Sequence, residues 1–341
     1  DEPRFEKEGL LIEGTSTNKL TNSESSSYGV HANTTVTDSG EVFRSGVNFL
    51  RVTESSDSGG TNHILYQNRT GMAATGDVVT YSVYFRKDAA VTRGFRLNVN
   101  NGGSVTVNPA TATIVSANTG TSKITHIGGD IYRVETTHTV TDGTGSFNAH
   151  VYLTSSPTAV NLTYTGDGTG FVDVCGFQYE ILPFVSSYIP TTSSAVTRGV
   201  DYCSVDVNNN LGNPSDMSIL VEHTLPVGNM SDSYIMSTTG GVGNLFFIQR
   251  ASGNIDFYGI DRVQNTLFNG TDIIDTVKSA AVVQVCSGCS KGTEVFVYTN
   301  GTFAISDLNN TPVTTIPTQI NLGGRHVSTL ASYGHIKNFK I

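Results

Sequence analysis

The sequence contains few charged residues for its length. Only 14% of its 341 residues are charged, against about 25% in an average soluble domain. Gly, Ser, Thr and Asn take their place, and these residue types favour turns and strands over helices. Hydrophobic residues still make up 37% of the chain and occur in patterned runs, which excludes a disordered protein. The composition therefore predicts a β-rich globular protein.

Clusters of basic residues and long apolar runs are also absent. The formal net charge is −9, and no group of Lys and Arg residues forms the basic surface that a nucleic-acid partner requires. No apolar run approaches the roughly 20 residues that cross a bilayer. We therefore expect neither a nucleic-acid partner nor insertion into a membrane.

The four cysteines are too few for a disulfide scaffold in a chain of this length. Their number predicts folding in a reducing compartment. Cys286 and Cys289 have the spacing of half a zinc site, but no second pair of ligands accompanies them. The sequence favours two thiols in a tight glycine turn, and a local disulfide between them stays open as an alternative.

Apolar and polar residues alternate along most of the chain, whereas helical periodicity is almost absent. In Phe147–Leu153, for example, Phe147 and Val151 fall on one side and His150 and Tyr152 on the other. Such strands form antiparallel sheets with one buried and one exposed face. Gly-rich turns separate them, at residues 100–103, 127–130, 142–145 and 166–170. The pattern predicts an all-β protein made of two antiparallel β-sandwich (jelly-roll) domains in tandem.

The division between the two domains is predicted at a segment rich in Pro, Ser and Thr, residues 183–199. Phe184, Tyr188 and Ile189 are expected to hold this exit segment against the first domain, and Pro190 to keep it out of a strand ladder. Strand patterns resume after it, with a hairpin predicted at Asn300–Gly301 and a final strand at residues 334–341. The first domain is thus placed at residues 1–197 and the second at residues 198–341.

Three segments resemble a known group of proteins. "PRFEKEGLLIEGTSTN" (Pro3–Asn18), "YTGDGTGFVDVCGFQYE" (Tyr164–Glu180) and "SYIPTTSSAVTRGVD" (Ser187–Asp201) are similar to segments of tail and fibre-like structural proteins of bacteriophages. The resemblance implies that the first domain is a jelly roll like those of carbohydrate-binding modules. The strand spacing beyond it and the ending "GHIKNFKI" are similar to concanavalin/laminin-G-like sandwiches.

The resemblance implies a virion structural protein at the surface of a phage tail or capsid, assembled in the cytoplasm of the bacterial host. Its expected role is that of a tail-fibre or receptor-binding component that adheres to host-surface glycans. The implied partners are other virion proteins and further copies of the chain, with a trimer expected. The alternative is a capsid or head-fibre decoration protein that binds no glycan. The absence of Trp favours this alternative, because glycan-binding jelly rolls usually carry Trp platforms.

No catalytic residues are predicted, and the chain is not expected to be an enzyme. A G-x-S-x-G nucleophile motif is missing. Two carboxylate pairs, Asp256 with Asp261 and Asp272 with Asp275, keep a polysaccharide-degrading tail enzyme as a less favoured alternative. The stacked repeats that such enzymes usually carry are absent.

A glycan-binding face is predicted in the second domain, at Tyr234, Asp256, Tyr258 and Tyr298. Tyrosine beside polar side chains is common equipment for weak sugar recognition, although ordinary sandwich packing explains the same residues. No metal ligands and no cofactor are predicted. The Asn-rich segment at residues 206–212 is interpreted as a turn, and a structural calcium ion in either sandwich stays open without a ligand set.

Overall fold

The computed structural model of the protein describes only part of the chain. The described residues are 4–6, 9–99, 103–143, 146–201, 203–206, 216–224, 233–239, 243–251, 254–261, 284–291, 294–299, 302–307, 319–323 and 334–340. From residue 216 to residue 307 the description covers mainly the strand backbones.

The regular elements among these residues are all β-strands. The described residues include no helix long and apolar enough to cross a membrane. The first seventeen are β1 Arg4–Glu6, β2 Gly9–Ile12, β3 Ser16–Asn18, β4 Val30–Ala32, β5 Thr34–Arg44, β6 Val47–Glu54, β7 Thr61–Asn62, β8 Ile64–Thr70, β9 Val78–Arg86, β10 Phe95–Val99, β11 Ser104–Asn108, β12 Thr113–Asn118, β13 Thr121–Gly128, β14 Ile131–Thr139, β15 Ser146–Leu153, β16 Thr163–Tyr164 and β17 Phe171–Glu180. The remaining eleven are β18 Val196–Arg198, β19 Cys203–Asp206, β20 Asp216–Thr224, β21 Ser233–Thr239, β22 Gly243–Ala251, β23 Asn254–Asp261, β24 Gln284–Lys291, β25 Glu294–Thr299, β26 Thr302–Asp307, β27 Gln319–Leu322 and β28 Gly334–Lys340.

The chain forms two compact units. The first unit comprises Ser16–Arg198, and the second comprises Asp1–Thr15 together with Gly199–Ile341. Each unit contains two large sheets with antiparallel pairing, so the predicted all-β class with two antiparallel sandwiches is confirmed.

In the first unit two six-stranded sheets enclose one core. Their strand orders are β12-β11-β10-β15-β8-β4 and β13-β14-β9-β17-β6-β5. Buried residues of both sheets share one hydrophobic cluster, against which a few partly buried residues pack. Phe85 of β9 meets Phe95 of β10 across the two sheets, with ring centroids 5.4 Å apart. Burial of this apolar surface, at about 25 cal/mol per Å², is the main stabilising term of the unit.

The predicted alternation holds along the sheet that contains β10 and β15. In β10 the residues Phe95, Leu97 and Val99 are buried, and Arg96 and Asn98 between them are half-exposed. In β15, Phe147 and Val151 lie in the core as predicted. These strands therefore present one dry face to the core and a polar face on the outer side of the sheet.

In β9 and β17 the prediction of one exposed face is wrong. Val79 and Tyr81 of β9 face the core, but Thr80 and Ser82 on the opposite face are also fully buried. A further layer covers this outer face. Its apolar part includes Tyr188, which packs with Phe43 and Tyr84 of the sheet.

The covering layer is the segment that was predicted as a linker. Ile189 is buried, its backbone NH donates to Gln178 Oε1 at 2.7 Å, and its carbonyl accepts from Asn18 Nδ2 at 2.9 Å. Tyr188 OH lies 2.6 Å from Ser23 Oγ. The segment is therefore held along the first unit by both apolar contacts and hydrogen bonds, and β18 at its end pairs with β3. We call residues 183–191 the exit strap.

In the second unit the sheets have the orders β1-β2-β28-β20-β24-β25-β26 and β19-β27-β21-β22-β23. Two local predictions are confirmed here. β25 pairs with β26, with Thr299 opposite Thr302, as the hairpin predicted at Asn300–Gly301 requires, and β28 is the predicted final strand. In the other sheet, β22 pairs with β23.

The first fifteen residues belong to the second unit, whereas the sequence placed them in a first domain of residues 1–197. Strand β2 pairs with β28, and Leu10 lies opposite Ile336. Ile12 is 2% exposed, and Gly323 leaves room for it because a Cβ there would lie 2.2 Å from Ile12 Cγ2. A short strand with two large aliphatic side chains is therefore built into the sheet that the end of the chain completes.

Cys286 and Cys289 do not lie in a glycine turn. Both belong to strand β24, where Cys286 is opposite Val221 and Cys289 is opposite Ser218. Residues three apart in an extended strand are separated by about 10 Å, beyond the roughly 7 Å limit for disulfide-linked Cα atoms. The strand geometry therefore excludes a disulfide between these two residues.

Candidate functional site

The outer face of the sheet that contains β10 carries a continuous row of side chains. Backbone register places one residue from each of its six strands in this row, namely Val30, Tyr66, His150, Asn98, Ser104 and Asn118. Residues opposite each other in an antiparallel ladder point to the same side of the sheet. Five gaps of about 4.8 Å give the row a length of about 24 Å.

A second row runs beside the first and contains Tyr152 and Arg96, which are opposite each other. The aromatic residues of both rows form one cluster at the centre of the sheet. The ring centroids of Tyr66 and His150 are 5.5 Å apart, and those of His150 and Tyr152 are 5.1 Å apart, both in edge-to-face geometry. We call Tyr66, Arg96, Asn98, His150 and Tyr152 the tyrosine face.

His150 is the buried centre of the tyrosine face. Its side chain is on the outer side of the sheet, yet only 6% of the residue is exposed. Burial lowers the pKa of His150 to about 4, so the ring is neutral at pH 7. Asn98 Nδ2 donates to His150 Nδ1 across 3.4 Å, which fits a ring nitrogen that carries no proton.

Arg96 is fixed rather than free. Its Nε donates to Thr106 Oγ1 at 2.9 Å, and its Nη2 donates to the Val160 carbonyl at 3.0 Å. Burial lowers the pKa of Arg96, and burial likewise raises the pKa of Tyr152. Tyr152 is therefore a neutral phenol. The guanidinium of Arg96 lies beside it and is held along the sheet surface by its hydrogen bonds.

The chemistry of the tyrosine face suits a ligand that has both apolar and hydroxyl-bearing surfaces. Half-exposed tyrosine rings offer stacking surfaces and phenolic hydroxyls. Asn98 adds an amide that can donate and accept hydrogen bonds. With the neutral His150 between the rings, the central part of the face offers contacts that do not rely on charge.

The four residues predicted as a glycan face lie on strands of the second unit. Tyr234 of β21 and Asp256 of β23 both lie opposite Gln249 of β22, so the two residues are in one row of that sheet. Tyr258 is on β23 two positions further along, opposite Phe247. Tyr298 is on β25, which belongs to the other sheet of that unit. Their side chains lie outside the described residues, so the predicted site stays a prediction.

The tyrosine face was not predicted as a site from the sequence. The alternation of Phe147–Leu153 already put His150 and Tyr152 on the outer side of their strand. The missing information was the pairing of β15 with β8 and β10, which brings Tyr66 and Asn98 beside them. That pairing joins segments far apart in the chain.

A cluster of charged residues lies at the end of β6. Glu54 is 2% exposed and accepts two hydrogen bonds from Arg93, from Nε at 2.6 Å and from Nη2 at 2.7 Å. It also accepts from Tyr164 OH at 2.8 Å and from the Asp167 backbone NH at 3.0 Å. Each carboxylate oxygen of Glu54 thus accepts two hydrogen bonds, and these bonds connect the loop before β17 to the sheet. Glu54 offers no free carboxyl group for chemistry.

Among the described residues there is no site for a metal ion, and burial raises the pKa of both cysteines whose side chains are described, Cys175 and Cys203. Among those residues no three His, Cys, Asp or Glu side chains come close enough to hold a metal ion. Cys175 is fully buried, and burial raises the pKa of its thiol to about 12. A thiol with so high a pKa reacts poorly with electrophiles at pH 7.

The chain matches no protein-family model and no curated protein. Among solved structures, the mouse laminin alpha1 chain, domains LG4-5, is similar to it at a TM-score of 0.29 and 11% sequence identity. The match covers 83% of this chain and 86% of that chain. A superposition this loose does not establish a shared fold or a shared function, so the site is argued from its own geometry.

Proposed function

We propose that the protein is an adhesive component at the surface of a bacteriophage particle, and that its tyrosine face binds glycans of the bacterial host. The observation that carries the glycan part of the proposal is the pairing of Tyr66 and Tyr152 around His150 on an outer sheet face. The phage part is supported by the resemblance of the three segments in residues 3–18 and 164–201 to tail and fibre-like proteins. The laminin-G-like character of the second unit belongs to the same proposal.

The tyrosine face favours a neutral, extended glycan. A row about 24 Å long provides room for about four or five sugar rings in line, since each ring advances by about 5 Å, one strand spacing. Tyr66 and Tyr152 would stack on the apolar faces of the rings, and Asn98 would pair with hydroxyl groups. Each such contact is weak, so assembly of the chain in symmetric copies, with a trimer expected, would supply the avidity.

A second candidate function is the decoration of a capsid or head fibre, without any glycan ligand. It is favoured by the absence of tryptophan from the whole sequence, because tryptophan provides the largest stacking surface. In that case the sheets would serve packing against other virion proteins. A polysaccharide-degrading activity is the third and least favoured candidate.

The test is a bacterial glycan array probed with the full chain and with the variants Tyr66→Ala and Tyr152→Ala. We expect binding to at least one polysaccharide, and a loss of about five- to tenfold in affinity for each variant because one stacking contact is removed. Ile127→Ala is the control, since Ile127 is an exposed apolar residue on β13 in the opposite sheet. Circular dichroism checks that every variant is folded.

The possible results separate the candidates. Silence of the wild-type chain across all polysaccharides would contradict glycan adhesion and support decoration. Binding that is unchanged in both tyrosine variants would move the site away from the tyrosine face, towards the predicted residues of the second unit. A fall in the viscosity of a bound polysaccharide on incubation would point to the degrading enzyme.

A further inference from the structure

The sheet that carries the tyrosine face has very few charged residues. Its strands β4, β8, β10, β11, β12 and β15 contain no Asp, Glu or Lys, and their charged residues are Arg69 and Arg96 alone. Arg69 lies opposite Phe147, a residue of the core, and is therefore on the inner side of the ladder. Arg96 lies opposite Tyr152 on the outer side. The strands thus give the tyrosine face a single formal charge, and this charge is positive.

No carboxylate among the described residues balances the charge of Arg96. Burial lowers the pKa of Arg96, and no neighbouring carboxylate offsets this effect. Other arginines of the first unit do have such partners: Arg44 pairs with Glu24, Arg51 and Arg86 pair with Asp173, and Arg93 pairs with Glu54. The charge of Arg96 is therefore open to an anion that comes from outside the chain.

The guanidinium of Arg96 is already held in position. The hydrogen bonds from Nε to Thr106 Oγ1 and from Nη2 to the Val160 carbonyl use two of its five N–H donors. Both acceptors are uncharged, so they orient the guanidinium without neutralising it. The donors on Nη1 make no hydrogen bond to the described residues. Because the side chain is fixed beforehand, a ligand would lose little affinity in ordering it.

We propose that the glycan bound by the tyrosine face carries a carboxylate, as in a hexuronic acid, and that this carboxylate pairs with Arg96 beside Tyr152. The inference rests on the proposed glycan binding and refines it. The glycan is neutral where it crosses Tyr66 and His150, and only the sugar unit next to Arg96 is acidic. One ion pair then fixes the position of a ligand whose other contacts are stacking and neutral hydrogen bonds.

A carboxylate fits this position better than other groups of a glycan. The planar guanidinium matches the two oxygens of a carboxylate, and such charge-assisted hydrogen bonds are stronger than those to a hydroxyl group. A single guanidinium balances a single negative charge, whereas the two charges of a phosphate monoester would find no second cation on these strands. The neutral phenol of Tyr152 can donate a further hydrogen bond to the same group.

The experiment compares ligands that differ by one carboxylate. Tetrasaccharides of glucose, galactose and mannose are prepared with one terminal unit oxidised at C6 to the uronic acid, and each is compared with its unoxidised form. NMR titration of the full chain gives the affinities. We expect at least one oxidised tetrasaccharide to bind about tenfold more tightly than its neutral form. This preference should shrink at high salt, because salt screens the ion pair.

The decisive variant is Arg96→Gln, which removes the charge and keeps an amide that can donate a hydrogen bond. We expect it to lose the preference for the oxidised form and to bind the neutral form as the wild type does. The retained binding of the neutral form and the circular dichroism spectrum together show that the variant is folded. Lys123→Gln is the matched control, because it removes one exposed positive charge from β13 in the opposite sheet. It should leave the preference unchanged.

The results distinguish this inference from the proposed function. Equal affinity of the wild type for oxidised and neutral forms, or a preference that persists in Arg96→Gln, would overturn the inference. Binding of the neutral forms that is weakened by Tyr66→Ala would then still support a glycan site on the tyrosine face. Absence of binding to every oxidised tetrasaccharide would also overturn the inference, and the glycan array would decide the proposed function by itself.

Discussion

At the scale of single residues, His150 shows how a sheet surface can bury a titratable group. The ring sits on the outer side of β15, and two tyrosine rings flank it closely enough to exclude water. The charged form loses its hydration there and gains no carboxylate in return. The direct neighbours of the ring are the phenols Tyr66 and Tyr152 and the amide of Asn98, and the guanidinium of Arg96 lies opposite Tyr152. Burial is the cause that lowers the pKa of His150, because it disfavours the charged ring.

The first unit is therefore expected to lose stability in mild acid. In the unfolded chain the pKa of His150 returns from about 4 to its usual 6.5, so the unfolded state binds more protons between these values. The contribution of the neutral His150 ring to the free energy of unfolding is fully present above pH 6.5 and declines as the pH falls to about 4. It amounts to at most about 3 kcal/mol.

Urea unfolding at pH 7, 5.5 and 4, followed by circular dichroism, measures the effect. The matched variant is His150→Gln, which keeps an amide hydrogen-bonding group and cannot titrate in this range. The wild type should lose more stability than the variant between pH 7 and pH 4. Parallel losses in the two proteins would show that His150 is not the responsible group.

The residues of the tyrosine face were only partly predictable. Period-two alternation places a residue on one side of its own strand, and it did so for His150 and Tyr152. The burial of His150 depends on Tyr66, whose strand β8 is a neighbour only through long-range pairing. Alternation also failed on β9, because whether an outer face is wet depends on what else packs there.

At the scale of elements, the exit strap is the feature that departs most from expectation. Its proline and hydroxyl residues are typical of a linker, and the sequence predicted one. Tyr188 and Ile189 were correctly expected to hold it, but its hydrogen bonds come from the buried side chains of Asn18, far away in the sequence, and of Gln178 in β17. A strap without a strand ladder needs such partners, because its buried backbone groups must be paired.

Asn18 is the side chain on which the exit strap most depends. The residue is fully buried, and its Nδ2 donates to the carbonyls of Phe177 and Ile189, both at 2.9 Å. Its Oδ1 accepts from the backbone NH groups of Leu20 and Tyr179, both at 3.2 Å. Asn18→Ala leaves these four backbone groups without their partner and should lower the free energy of unfolding by about 2–4 kcal/mol.

The control for this change is Thr197→Ala, which breaks the exposed hydrogen bond between Thr17 and Thr197 at the neighbouring ladder of β3 and β18. Its effect should stay within about 0.5 kcal/mol, because both hydroxyl groups can pair with water instead. Urea midpoints of the two variants measure the difference. Equal midpoints would mean that the strap contributes little to the first unit.

At the scale of the whole molecule, the first unit is inserted into the sequence of the second. The sequence predicted two sandwiches one after the other. The strand periodicity is consistent with two sandwiches. Pairing of β2 with β28 joins Leu10 to Ile336 and makes the second unit discontinuous. Periodicity identifies strands but not the strands with which they pair, so it could not predict that the short β2 pairs with β28.

Removal of residues 1–15 should therefore weaken the second unit and spare the first. Calorimetry of the full chain should show two transitions, one of which coincides with that of the isolated residues 16–198. The deletion should lower the midpoint of the other transition only, since Ile336 and the edge of β28 lose their cover. Removal of residues 1–3, which precede β1, is the control and should change neither transition. A shift of the first-unit transition would contradict this division.

The pairing of β2 with β28 also dictates an order of events during translation. Strand β2 is synthesised before the whole inserted sandwich and must wait for its neighbour β28, which follows that sandwich in the sequence. The inserted sandwich emerges in between with all of its own strands and can fold during that interval. The second unit can close only after β28 has been synthesised, so a chain terminated before β28 would yield a finished first unit attached to an incomplete second unit.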